Sequence, residues 1–429
     1  MMNRKSAKTW GALSVAALAL TLTACGDAGS SENSSAQGNG DAITLEFAQW
    51  WEPELPDNSL RGLMDEFEKD NPGIKVKLLS GPYASTREQI VAGAAAGTMS
   101  DVVGLDGAWV NDFAKQGAIA NLSDVMKKAS YDDSKLVSQV KVDDKTYSIP
   151  VTNFVYPMFV NQEILDKAGI KEAPKTREEF AKAAKAVTND NVKGWALPLS
   201  LEAPNGIQND VMPWAWASGG SMLKDGKPFL EGNKDVEDVV TYIKKLWDDQ
   251  VIAPGALTMK EQDKVEEFTN GRVAMMIDSL AHVNLIRKNN PNLKFDLSPL
   301  PAKAGYDGKR GMPFASWGIG ISANTKHPEQ AWKLVEFLLS KDINAKLCDA
   351  ANAFPGNKDA KPSFIEKDEI LAKAFEIWNA GVPANEFTGL PVAEQLMREF
   401  DEGLQQVLSE NANISSVLKD VESKWNSKF

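Results

Sequence analysis

The chain has 429 residues, 43% of them hydrophobic and 25% charged, enough for two or three domains with cores of their own. Forty-seven basic residues against 59 acidic ones give a net charge of −12, and no basic cluster offers itself to a phosphate backbone, which excludes nucleic acid as a partner. Two histidines and two cysteines are too few for a His- or Cys-rich metal site, so no metal and no cofactor is expected. Twelve tryptophans against six tyrosines ask for a use.

Arg4, Lys5 and Lys8 precede a short apolar run, Gly11 to Leu22, a secretory-signal pattern too short for a stable membrane span. Leu22-Thr23-Ala24-Cys25-Gly26 then resembles the bacterial lipoprotein processing site. The resemblance implies that residues 1–24 are removed and that Cys25 becomes the lipid-bearing first residue. Residues 26–40 are rich in Gly, Ser and Asn and hold nothing to bury, so 25–40 reads as a flexible tether. Losing the signal removes three basic residues and no acid, which takes the charge from −12 to about −15 and repels an anionic membrane surface. Cys348 is left without a disulfide partner, so the core alone must hold the fold.

Ile43 to Phe47 alternates as a strand. A helix follows, capped by Asn58 or Ser59, with Leu60, Leu63, Met64 and Phe67 on one face, and Asn71-Pro72-Gly73 stops it. Ile74, Val76 and Leu78 alternate again, completing a βαβ unit. The pattern predicts a helix over Ala84 to Ala96 with Ile90, Val91, Ala94 and Ala95 facing inward, then a buried strand over Asp101 to Leu105. Tyr147 to Thr152 is strand-like with no helix before it, a candidate crossover. Strands are predicted over Tyr156 to Asn161, Trp195 to Leu199, Val273 to Ile277 and Trp317 to Ser322. Helices are predicted over Glu163 to Ala168, Val236 to Trp247, Val265 to Asn270 and Pro328 to Leu339. Another runs from Thr176 to Val187 with a capping box to Glu179. From Ile370 onward the chain reads as helical in bulk. The class is α/β with a mostly parallel first sheet.

Nucleotide-binding, zinc-protease and serine-hydrolase motifs are absent. Gly318-Ile-Gly-Ile-Ser-Ala323 fits a loose dinucleotide motif but lies inside a strand-like run, where small residues mean packing. A sugar site needs flat aromatic platforms rimmed by carboxylates and amides. Trp247 and Trp332 sit at helical spacing and read as core. Other tryptophans sit past strand ends, where open α/β sheets bind ligands. They are Trp50 and Trp51 beside Glu52, Trp109 beside Asp106, and Trp214 and Trp216 after a polar loop carrying Asn205 and Gln208. Asp278 follows the strand ending at Ile277.

Several segments, in this order, resemble the extracellular solute-binding proteins of carbohydrate ABC importers, the family that includes maltose-binding protein. They are Phe67 to Val76, Ala92 to Asp101, Phe159 to Asn161, Asn270 to Met276 and Ile319 to Leu338. The resemblance implies a two-lobed, periplasmic-binding-protein-like α/β fold with hinge strands and a ligand cleft between the lobes. It implies a first lobe of 41–150 plus 318–362 and a second of 151–316 plus 365–429. Asn153 and Trp317 would lie at the hinge. It implies a site built from Trp50, Trp51, Glu52, Asp106, Trp109, Asn205, Gln208, Trp214, Trp216 and Asp278. Many relatives carry Asn-Gly-Pro-Trp after the Met-Met-Ile strand. Here the run is Asp278-Ser279-Leu280-Ala281, so that platform is missing. Phe354 and Phe387 are weak candidates to replace it.

The expected function is capture of a sugar, an oligosaccharide, by hinge closure, and its delivery to an importer's permease. The protein is expected to be a monomer and not an enzyme, held to the outer face of a membrane by its lipid alone, as at a Gram-positive surface. The alternatives are a receptor of the same fold for a polyol, glycerophosphodiester or peptide, and a secreted glycosidase.

Overall fold

The computed structural model describes residues 42–429. The expected signal segment, tether and lipidated Cys25 lie outside them. β1 (Ile43–Gln49) is followed by the helix Ser59–Asp70, which buries Leu60, Leu63, Met64 and Phe67 as their spacing requires. β2 (Ile74–Ser80) returns parallel to β1, with Leu45 opposite Val76. The helix Tyr83–Ala96 buries Ile90, but Val91 is 38% exposed. Its alanines are too small to define a face by periodicity, so that part of the expected stripe fails. β3 (Val102–Leu105) lies parallel on the other side of β1.

β4 (Val140–Val142) pairs with β5 (Lys145–Val155) in the same sheet, and the chain then leaves it, β6 (Met158–Asn161) opening a second sheet. The helix Arg177–Val187 starts in the expected capping box of Thr176 and Glu179. β7 (Lys193–Trp195) ends earlier than the expected Leu199. Pro198 has no N–H to give a ladder, and Leu199 instead donates to Ala256 O at 2.9 Å. A short hairpin of β8 (Leu223–Lys224) and β9 (Lys227–Pro228) follows, then β10 (Val273–Ile277) and β11 (Phe295–Ser298). β12 (Gly311–Ile321) runs back to the first sheet, where β13 (Phe354–Pro355) and β14 (Val382–Ala384) add to its edges.

The first sheet has the order β13-β5-β12-β3-β1-β2, with β4 on β5 and β14 on β12. The second is β11-β6-β10-β7. The eleven-residue strands β5 and β12 are antiparallel from Phe314 opposite Val155 to Ile319 opposite Ile149, with a register shift between Trp317 and Gly318. A shift of this kind bends a ladder and re-aims its side chains. One end of β12 pairs with β3, and at the other Tyr156 donates to Pro313 O at 3.1 Å before the chain enters β6. These two strands therefore link the layers, which gives the two-lobed arrangement. The tail is helical over Glu369–Ala380, Ala393–Glu410 and Ile414–Asn426. Among the described residues no helix is long and apolar enough to cross a membrane.

Candidate functional site

The end of β1 is held by Gln49, which is fully buried. Its Oε1 accepts from the backbone N–H of Trp51 at 2.6 Å and of Glu52 at 2.9 Å, and its Nε2 donates to Ser80 Oγ at 2.7 Å. This pins the Trp50-Trp51 turn. Trp50 then packs edge-on to Tyr83 at 5.3 Å and against Trp109 at 5.5 Å. Trp51 is fully buried and stacks on Trp317 at 5.3 Å with the planes 7° apart. Phe154 tilts against the same Trp317 at 4.8 Å. Past β3, Asp106 accepts from Ala108 N at 2.8 Å and from the Tyr83 hydroxyl at 3.1 Å.

The facing wall comes from the second lobe. Asn205 leads into a π-helical turn, Ile207–Val211, in which Gln208, Asn209 and Asp210 are all buried. Asn205 Nδ2 donates to Glu261 Oε2 at 3.0 Å, while Glu261 Oε1 is buried without a partner. Glu261 starts the helix Glu261–Thr269, and one turn along it Lys264 Nζ donates to Asp210 Oδ1 at 3.0 Å and to Ile277 O at 2.6 Å, and lies 3.3 Å from Asp278 Oδ1. The other Asp278 oxygen lies 2.9 Å from His282 Nδ1. Thus Asp210, Lys264, Asp278 and His282 form one buried chain of polar contacts.

Burial opposes charge on all four groups; it prevails at Asp210, which it raises to about 8 against the pull of Lys264, and the neighbours prevail at the other three. Burial works against the His282 imidazolium, yet Asp278 outweighs it and pushes His282 up to about 10. Burial works against the Asp278 carboxylate, yet His282 and Lys264 hold it below its ordinary value. Asp210 and Asp278 keep Lys264 protonated against the same penalty. Toward the open space the balance reverses. Burial pushes Glu54 up to about 8, with Glu261 and Asp278 adding to it and His282 opposing. Burial also lifts Asp106 to about 6 against the hydrogen bonds from Ala108 and Tyr83.

Between the walls lies a cavity of about 30 Å³ that touches β1, β3, β5, β10 and β12 ends. Of the residues singled out by sequence, Trp50, Asp106, Asn205 and Trp317 line it. The others are placed elsewhere. Trp51 backs Trp317, and Trp109 backs Trp50. The Glu52 carboxylate accepts from Ser80 Oγ. Asn153 donates to Pro355 O at 3.1 Å, and Gln208 accepts from Asn385 at 3.4 Å. Trp214 is fully buried against Phe180, Trp195 and Tyr242 at 4.9, 5.5 and 5.1 Å. Trp216 donates from Nε1 to Glu386 Oε2 at 2.7 Å. Asp278 stands behind the wall that His282 faces. Phe354 packs on Trp378 at 5.2 Å and Phe387 is fully buried, so neither supplies the missing platform.

Sequence reasoning missed Glu54, Tyr83, Tyr156, Asn209, Glu261 and His282 in the lining. Tyr83 was within reach, since it follows the end of β2 as Trp50 follows β1. His282 sits four residues after Asp278 across a 3-10 turn, a spacing that lets the two meet. Glu261 arrives only by tertiary packing. A second, smaller pocket shares Asp106, Ala315 and Ser316 and extends toward Asn385 and Thr388, so the space continues along the cleft.

The arrangement offers two indole walls, amide and hydroxyl groups, and carboxyl groups from both lobes. It contains no nucleophile beside a general base. Glu261, Asp278 and His282 place ligand atoms within 4.8 Å of one another. However, both Asp278 oxygens already face resident cations, which leaves a poor set for a metal ion.

The Bacillus subtilis galactooligosaccharide-binding protein is 25% identical over 413 residues, covering 94% of this chain and 93% of that protein. A Thermotoga lettingae ABC-transporter solute-binding protein, solved with α-D-tagatose, superposes with a TM-score of 0.78 at 21% identity over 90% of this chain and 99% of that one. UgpB of Mycobacterium tuberculosis, solved with glycerophosphocholine, does so with a TM-score of 0.76 at 17% identity over 91% and 98%. The profile of bacterial extracellular solute-binding proteins matches residues 52–345, and the chain belongs to that family.

Proposed function

We propose that this solute-binding protein is the receptor subunit of a carbohydrate ABC importer and that it takes an oligosaccharide between its lobes. One observation carries the reading. A cavity walled by Trp50 and Trp317 receives hydrogen-bonding groups from both lobes, Asp106 and Tyr83 from one, Asn205, Asn209 and Glu261 from the other. Indole faces suit the C–H face of a pyranose, and the amides and carboxyls suit its hydroxyl rim. The relatives named for sugars point the same way.

A cavity of about 30 Å³ is far below the roughly 300–1,000 Å³ typical of ligand sites. The ligand therefore enters when the lobes part, and β5 and β12 are the segments that would flex. On this reading the lobes divide near 150 and 317, where the ladder shifts register, and ligand contacts on both sides favour closure. The closed form would then dock on the permease, and Cys25 would carry the lipid that holds the protein to the membrane. Labelling of cells with a fatty-acid analogue should mark the protein and fail to mark the Cys25→Ser variant; label retained by that variant would remove the anchor.

Calorimetric titration with mono- and oligosaccharides, polyols and glycerophosphodiesters tests the substrate class. Saturable micromolar binding of an oligosaccharide that is recovered unhydrolysed is expected. Binding confined to a polyol or a glycerophosphodiester, or release of reducing sugar, would replace the sugar-receptor reading.

A further inference from the structure

The cavity has an imbalance of charge that its own residues leave unresolved. Three carboxyl groups, Glu54, Asp106 and Glu261, line it against one cation, His282, and no Arg or Lys does. Lys264 stands behind the wall between Asp210 and Asp278, and His282 Nδ1 is engaged by Asp278. Each of the three lining carboxyl groups is without an ion-pair partner among the described residues. Glu261 shows the consequence most sharply. The residue is 9% exposed, one oxygen accepts from Asn205, and the other is buried with no partner. A buried carboxylate oxygen left bare is costly, and a hydrogen-bond donor on a ligand in the cavity would complete this one.

The completing group has constraints. An anion would meet three carboxyl groups. A metal ion would meet Lys264 and His282 across Asp278. An organic ammonium fits: it donates three hydrogen bonds, and the faces of Trp50 and Trp317 favour a cation beside them. The remaining groups, Asn209, Ser279 and Ser316 among them, suit hydroxyls.

Resting on the sugar-receptor reading, we propose that the preferred ligand carries a protonated amino group among its hydroxyls, an amino sugar or amine-bearing oligosaccharide, with the amine received by Glu261 and Glu54.

The test is calorimetry at pH 7 on the purified protein with matched sets of mono- and disaccharides of the gluco and galacto series, each as free amine, N-acetyl amide and plain hydroxyl. The amine should bind at least 10-fold more tightly than its amide and hydroxyl counterparts. Glu261→Gln should remove that advantage, so that the amine binds no more tightly than its amide and hydroxyl counterparts. Because Glu261 also holds Asn205, Glu54→Gln serves as the second variant and should reduce the advantage by itself. Amide or hydroxyl forms that bind as tightly as the amine, here or among other sugars, would overturn the amine proposal and leave the sugar receptor standing. Failure of every sugar would overturn both.

Discussion

Trp50 and Trp214 are the same residue type in similar loop contexts, yet they have different surroundings. Trp50 lines the cavity, whereas Trp214 is fully enclosed by Phe180, Trp195 and Tyr242. Trp50→Leu should therefore weaken ligand binding by about 2 kcal/mol, as loss of an aromatic anchor does, and should also lower stability, because Trp50 is buried against Tyr83 and Trp109. Trp214→Ala should destabilise the fold by about 3–5 kcal/mol, and Trp214→Phe should leave affinity within 2-fold. Equal losses of affinity in Trp50→Leu and Trp214→Phe would contradict this division. Lys264 belongs at this scale too. Lys264→Met leaves Asp210 without a cation and Asp278 with His282 alone, and urea unfolding should show a loss of about 3–5 kcal/mol; a loss below about 1 kcal/mol would mean the chain is not structural.

At the scale of elements, the loop that carries Asn205, Gln208 and Asn209 depends on Gly206. A Cβ there would collide with the carbonyl oxygen of Pro198. Gly206→Ala must move that backbone, and with it Asn205 and its bond to Glu261. A fall of several degrees in Tm together with at least a 10-fold loss of ligand affinity is expected; unchanged affinity would show that the loop does not position the site. Elements were legible where periodicity is strong. The helix starting at Thr176 and the strand Val273–Ile277 were readable to the residue. The site was legible only in part. Strand-end positions located the right loops, because topology brings strand ends together. Which side chain in a loop faces the cavity depends on packing from distant segments. Asp278 stands at the correct strand end, but Lys264 and His282 claim both its oxygens. Glu261 enters from a helix whose sequence signals only a helix. Lids and platforms are both tryptophan in a loop, and one sequence does not separate them.

The whole molecule should record the buried acids in its pH dependence. Burial raises Glu54 to about 8, Asp106 to about 6 and Asp401 to about 7, from ordinary values of 4.5, 3.8 and 3.8. Between these limits the folded chain binds more protons than the unfolded one, so stability falls as pH rises. His282, raised from 6.5 to about 10, acts in the same direction at higher pH. The Tm without ligand should decline from pH 5 to pH 9. A flat or rising Tm across that window would show that these groups are not buried as described.

The central claim is that a sugar closes between the lobes against Trp50 and Trp317. Intrinsic tryptophan fluorescence reads that event directly, because both indoles line the cavity that the sugar would fill. Titration of the purified protein with oligosaccharides should give a saturable change at micromolar concentration, sharply reduced in Trp50→Leu. A flat response to sugars beside a saturable one to a glycerophosphodiester or peptide would contradict the account and reassign the receptor to that solute.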